Sequence, residues 1–219
     1  MEIAVISSYA CIHTSNNYGA LLQYYALQQY LKSRGHDVYW IRSIIPQSNL
    51  RIILRHIKNY RDLGLIRKYY RCRSSFRDFV EQHLNVTPKI YIGNIDLSNQ
   101  VPEADFYITG SDQVWGGELK ENYLLFVRES CKKIAYAASF GRDKISQAQI
   151  EVITPWIKDI PNVSVRESTG VGICKEMGVD AVHLLDPTLL IDAQLYPVTE
   201  GIRSDRIFVI FLMSHPNLN

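Results

Sequence analysis

Three short stretches of the 219-residue chain place polar, charged and glycine residues together in patterns that could do chemistry. The densest is Thr109-Gly110-Ser111-Asp112-Gln113-Val114-Trp115, where hydroxyl, carboxylate, amide and indole groups crowd around one glycine. Such a set suits a sugar or a phosphate. Polar groups beside an aromatic face grip a carbohydrate, and a carboxylate there can act as general base toward a hydroxyl. The opposing reading makes Ser111 or Asp112 a helix cap and Trp115 a core residue. The second stretch, Ser164-Val165-Arg166-Glu167-Ser168, brings a cation to the end of an apolar run just before a helix start, a position suited to a carboxylate or phosphate. A structural pairing of Arg166 with Glu167 or Asp186 competes with that account. The third, Ser15-Asn16-Asn17-Tyr18-Gly19, leads into a helix whose free N–H groups and dipole favour an anion. Asn17 is the candidate cap and Gly19 the place where a ligand approaches, against a purely structural cap.

These stretches need elements to hold them. Ile3 to Ser7 is a short β-branched run, the pattern of a parallel strand buried on both faces. Gly19 to Leu31 carries Leu, Ala and Tyr at helical spacing until Gly35 ends the pattern, and Asp37 to Ile41 gives a second strand. The resulting βαβ unit opens a doubly wound α/β domain. Leu50 to Leu84, rich in Arg, Lys and Tyr and interrupted by Gly64, predicts two amphipathic helices with a basic exposed face. Strands follow at Ala104 to Thr109, Lys133 to Ser139, Val163 to Val165 and Ala181 to Leu185, with helices at Ser146 to Lys158 and Ser168 to Met177 and a turn at Asp186-Pro187-Thr188. In such sheets ligands bind beyond the carboxyl ends of the strands, where all three stretches fall. A linker is expected over Val198 to Asp205, dividing a domain at 1–200 from 201–219, whose apolar run Arg206 to Met213 reads as one further strand.

Composition narrows the function classes. Hydrophobic residues make up 47% of the chain and charged ones 21%, so a packed core is expected rather than disorder. A formal net charge of +2 argues for neither nucleic acid nor a membrane surface. Cys11, Cys72, Cys131 and Cys174 form no C-x-x-C pair, and no ligand spacing indicates a metal. The apolar run ending at Met213 is about a third of the ~20 residues a membrane-crossing helix needs. The start of the chain lacks the basic and long apolar regions of a signal peptide, and a cytoplasmic location is expected.

Five motifs then stand in order: Asn17-Tyr18-Gly19-Ala20-Leu21-Leu22-Gln23-Tyr24-Tyr25-Ala26-Leu27, Gly110 to Trp115, Tyr136-Ala137-Ala138-Ser139-Phe140-Gly141, Ser164 to Glu167, and Leu185-Asp186-Pro187-Thr188-Leu189-Leu190. Together they resemble the polysaccharide pyruvyl transferases. The resemblance implies a Rossmann-like doubly wound sheet as one half of a GT-B-like two-domain architecture. It also implies transfer of pyruvate from phosphoenolpyruvate, as donor substrate with no further cofactor, to sugar hydroxyls as a ketal in surface polysaccharide biosynthesis. The implied partners are phosphoenolpyruvate and a glycan or lipid-linked saccharide. By similarity Arg166 contributes to the donor site, Asp112 serves the acceptor or proton transfer, and Asn17 and Gly19 line the cleft, with Tyr18, Gly110, Ser111, Trp115 and Glu167 as further candidates for binding substrate. The family's second half would supply a further Arg and His, and the chain is expected to stop where that half begins. Gly116-Gly117 after Trp115 departs from the Asn or Pro expected in relatives. Two other classes compete: a GT-B-like glycosyltransferase using a nucleotide sugar, and a non-catalytic domain that binds a glycan or a partner.

Overall fold

The structure, a computed structural model, describes residues 1–7, 18–44 and 76–197. Among these residues seven strands form one sheet in the order β3-β2-β1-β4-β5-β6-β7, every neighbouring pair parallel. They are β1 (Glu2–Ile6), β2 (Asp37–Ile44), β3 (Val86–Ile92), β4 (Phe106–Thr109), β5 (Lys133–Ala138), β6 (Asn162–Val165) and β7 (Val182–His183). The chain steps outward from β1 to β3, then restarts on the other side of β1 with β4. This makes the β1/β4 boundary the point where ligands enter such sheets, beyond the strand carboxyl ends.

Strand β1 is central because its residues are apolar on both faces: Ile3, Ala4, Val5 and Ile6 are all buried. On one face Ile3 and Val5 pack with Val38, Trp40 and Ile108 against α1 (Tyr18–Ser33) and α2 (76–83). On the other, Ala4 and Ile6 meet Tyr107, Leu97 of α3 (Gly93–Asn99) and Leu124 and Phe126 from the β4–β5 connection. That same face is covered further along by α4 (Gln147–Lys158) and α5 (Ser168–Glu176), through Ile153, Ile157, Ile173 and Cys174 packed on Ala135, Val163 and Val165. The molecule is an α/β protein with helices on both faces of a parallel sheet.

The element ends follow local rules. Helix α1 stops in a Schellman arrangement: Gly35 N donates to Lys32 O and His36 N to Leu31 O, with Gly35 at φ 81°. Helix α4 starts with the Ser146 hydroxyl accepting from Gln149 N at 3.2 Å. After β7 the chain runs through two 3₁₀ turns, Pro187–Leu189 and Ala193–Leu195, back to the first helix. There the Tyr25 hydroxyl donates to Leu195 O at 2.6 Å and the Tyr196 hydroxyl to Thr188 O at 2.8 Å.

Most predicted elements occur within a residue or two of their expected bounds. Two were missed, β3 and α3. Of the helical region expected over Leu50 to Leu84, residues 76–83 are helical and the rest lies outside the described residues. The linker and the expected strand beyond Val198 lie outside them as well.

Candidate functional site

The loop after β4 is built around a backbone that few residues could adopt. Gly110 sits at φ 120°, and a Cβ there would lie 2.1 Å from the carbonyl oxygen of Tyr136 on the neighbouring strand. Only glycine lets the loop press this closely on β5. Ser111 N then donates to the Gln23 side-chain oxygen at 3.1 Å, while Gln23 Nε2 donates to the Ser7 hydroxyl at 2.6 Å and Ala20 O at 2.9 Å. One buried amide from α1 thus ties the end of β1 to the loop after β4, at the boundary where the sheet order reverses.

Asp112 follows at φ 58°, a left-handed conformation uncommon for residues with a side chain. Its carbonyl is fixed by Val114 N at 2.8 Å and Ser139 N at 3.1 Å. Its half-buried carboxylate makes no hydrogen bond or ion pair with the described residues. Trp115 is placed otherwise. It is wholly buried, stacked on Tyr123 with centroids 5.9 Å apart and 3° between planes, and packed beside Phe140. Its indole N–H donates to Asn122 O at 3.3 Å, so the ring presents no open face to a sugar. Arg142 reaches the rim of this loop, donating to Gly116 O at 3.1 Å.

Strand β5 bulges as it meets this loop. The register to β6 shifts between Ala135 and Ala138, and Ala137 takes φ 46°. The buried Ser164 hydroxyl repairs the gap, accepting from Ala137 N and donating to Ala135 O, both at 2.9 Å. Beyond the bulge the Ser139 hydroxyl donates to Glu167 Oε1 at 2.8 Å and accepts from Gly141 N at 3.0 Å.

The ends of β4, β5 and β6 converge on Arg166. Its Nε donates to Glu167 Oε1 at 3.0 Å and its Nη1 to Asp186 Oδ2 at 3.1 Å. Asp186 Oδ2 also accepts from the Ser111 hydroxyl at 3.0 Å, with Ala137 O at 3.2 Å as that hydroxyl's other acceptor. Its Oδ1 accepts from Thr188 N at 2.9 Å and the Thr188 hydroxyl at 2.8 Å. Burial pushes the Asp186 carboxyl up, but hydrogen bonds from Thr188, Arg166 and Ser111 outweigh it and leave the group below the ordinary carboxylate value. Burial opposes the Arg166 charge as well, and its two carboxylate partners more than restore it. The Arg166 side chain remains 27% exposed, and its Nη2 makes no hydrogen bond with a described residue. A guanidinium held at Nε and Nη1, with Nη2 unbonded among the described residues, is suited to an anionic group such as a carboxylate or phosphate.

Of the residues expected at the site, Gly110, Ser111, Asp112, Arg166 and Glu167 are brought together at the strand ends. The pairing posed as a competing account for Arg166 is present with both carboxylates at once. Tyr18 and Gly19 are exposed at the first turn of α1, Tyr18 with its ring 4.5 Å from that of Phe76. Asn17 lies outside the described residues. Gln23, Ser139 and Thr188 were not singled out. Gln23 did carry a signal, an amide among the Leu and Tyr residues of a helical apolar face.

An open parallel sheet flanked by helices, with a polar, charged cluster beyond its strand ends, is an α/β arrangement whose crevice suits a ligand. A family model described as polysaccharide pyruvyl transferase matches residues 17–212, and the chain belongs to that family. No curated protein and no solved structure matches it.

Proposed function

We propose that the chain takes part in transferring pyruvate from phosphoenolpyruvate to a sugar diol of a surface polysaccharide, as one half of a GT-B-like pair of domains. In that reaction C2 of the enolpyruvyl group bonds to two sugar oxygens. The C2–O bond to phosphate breaks, one hydroxyl proton goes to the methylene carbon to make a methyl group, and the other leaves with inorganic phosphate. The observation that carries the reading is the Arg166 cluster, which joins four of the five sequence motifs at the carboxyl ends of β4 to β6 and leaves the Arg166 Nη2 unbonded among the described residues.

Arg166 is suited to the donor's carboxylate or phosphate. Asp112, a carboxylate without a partner among the described residues, is suited to accept the proton of an attacking sugar hydroxyl. Leu185 and Leu189, more than half exposed just beyond β7, offer an apolar face for a second domain. Free thiols at Cys131 and Cys174 accord with a cytoplasmic setting. Among the described residues no helix is long and apolar enough to cross a membrane.

Calorimetric titration with phosphoenolpyruvate tests the reading. Arg166→Gln removes charge-assisted hydrogen bonds worth roughly 1.5–3 kcal/mol, so binding weakens about 10- to 150-fold. Equal binding by wild type and Arg166→Gln refutes the role of Arg166. A nucleotide sugar that binds while phosphoenolpyruvate does not replaces this reading with that of a glycosyltransferase.

A further inference from the structure

The Arg166 cluster poses an electrostatic difficulty. Arg166 contributes one positive charge, while Glu167 and Asp186, in direct contact with it, contribute two negative ones. As a source of positive potential the trio is poor, carrying a net charge of −1. A site that simply attracted an anion would leave the arginine bare. Two acids at this position weaken attraction, so their value to an anion site must lie elsewhere.

The geometry shows where. Glu167 takes the Nε–H and Asp186 the Nη1–H, so the guanidinium is fixed at two points and its plane is set. Asp186 is the better anchored of the two acids. Its side chain is 22% exposed against 39% for Glu167, and it accepts from four donors: Thr188 N, Thr188 Oγ1, Ser111 Oγ and Arg166 Nη1. Thr188 lies in the turn after β7, Ser111 in the loop after β4 and Arg166 at the end of β6, so this carboxylate joins three segments that the sequence separates widely.

We propose that Asp186 is a positioning residue for the donor site: it sets the plane of Arg166 so that the unbonded Nη2 meets the anionic group of phosphoenolpyruvate. The proposal rests on the function proposed above. Restricting a flexible side chain before the ligand arrives removes an ordering cost from binding, and a correctly aimed planar fork makes better hydrogen bonds than a mobile one. Charge and aim therefore predict opposite signs for the same substitution. Asp186→Asn keeps the shape and removes one negative charge. If Asp186 matters through its charge, the variant binds phosphoenolpyruvate more tightly. If it matters through aim, binding weakens, because an amide cannot accept from Arg166 and Ser111 on the nitrogen that replaces Oδ2.

The experiment is a double-mutant cycle on the phosphoenolpyruvate dissociation constant, using wild type, Asp186→Asn, Arg166→Gln and the double variant. Asp186→Asn is expected to weaken binding about tenfold, and to have no further effect once Arg166 is Gln. Tighter binding by Asp186→Asn, or equal losses in both backgrounds, overturns the proposal. Thr188→Val controls for loosening of the turn, since it removes one Asp186 contact without touching Arg166. A loss as large as that of Asp186→Asn makes the role merely structural. A second readout needs no ligand. Nitrogen NMR of the Arg166 guanidinium is expected to show slow rotation in wild type and fast rotation in Asp186→Asn, and equal rotation in the two overturns the proposal. If wild type binds no phosphoenolpyruvate, the function proposed above falls together with the ligand named here. The rotation measurement then decides by itself whether Asp186 holds Arg166.

Discussion

Three glycine-to-alanine substitutions separate the two costs that a side chain meets at Gly110. Gly117 has neither a left-handed backbone nor any atom within 4 Å of a built Cβ. Its substitution is expected to change stability by no more than about 1 kcal/mol and to lean toward stabilisation, since alanine restricts the unfolded chain. Gly35 has the backbone cost alone: φ is 81° and the Cβ position is empty to 4 Å. Placing alanine there costs roughly 1–2 kcal/mol. Gly110 combines φ 120° with a Cβ only 2.1 Å from Tyr136 O, an atom of a sheet backbone that cannot rotate away. The conformational cost of roughly 1–3 kcal/mol is joined by the displacement of one strand from another, and a total of about 4 kcal/mol or more is expected. That is a large share of the 5–15 kcal/mol by which domains are typically stable. Urea unfolding followed by circular dichroism gives the midpoints, and unchanged slopes confirm that stability rather than compactness has moved. The expected order of destabilisation is Gly117, Gly35, Gly110. A Gly110→Ala protein no less stable than Gly35→Ala would refute the claim that close contact with β5 shapes the loop.

Three further outcomes follow from the same geometry. Ser164→Ala strands the buried Ala137 N–H in the β5 bulge, and a loss of about 1–3 kcal/mol is expected in urea unfolding, with Ser164→Thr recovering part of it. Asp186 has a carboxyl held below its ordinary value of 3.8, so its contribution to stability is present above that pH and is lost as pH falls below it through the folded value. The stability gap between wild type and Asp186→Asn should therefore shrink on acidification below pH 3.8, and a gap that widens there contradicts the assignment. Cys174, whose thiol burial pushes up to about 12, should resist iodoacetamide at pH 8 until denaturant is added, whereas exposed Cys131 is alkylated in the native protein; peptide mass mapping distinguishes the two.

The parts of the fold legible in the sequence are those where burial leaves a pattern. Ile3 to Ile6 reads as a strand because a strand covered on both faces must be apolar throughout, and Val163 to Val165 because two β-branched residues flank a single small polar one. Strand β3 escaped notice because Val86–Ile92 contains Pro88 and Lys89, which argue against a central strand. Among the described residues it is an edge strand, where such residues are tolerated, and Arg42 of β2 bonds the carbonyls of Thr87 and Pro88 beside an irregular register. The grouping of the candidate residues was legible, since polar residues after strands come together at the strand ends, but the contacts each one makes were less so. Trp115 in a polar heptapeptide suggests a stacking surface, yet its ring is taken up by Tyr123 and Phe140, partners that no local spacing reveals. Arg166 invited either an ion pair or a ligand. Side-chain geometry supplies two ion pairs and still leaves Nη2 unbonded among the described residues, a combination that residue order does not disclose.

The return of the chain after β7 to the first helix also bears on how the protein is made. Tyr25 is bonded to Leu195, 170 positions later, and Ile191 and Tyr196 pack against the cluster that includes Ile3, Val5 and Leu27. At typical synthesis rates the ribosome needs on the order of 10–30 s to cover that distance. During that interval the earliest strand and helix exist without their final cover. A nascent chain cut short before Asp186 would keep the first helix on that face but lack the Ile191 and Tyr196 part of its cover, leaving the apolar surface around Tyr25 for a chaperone to bind.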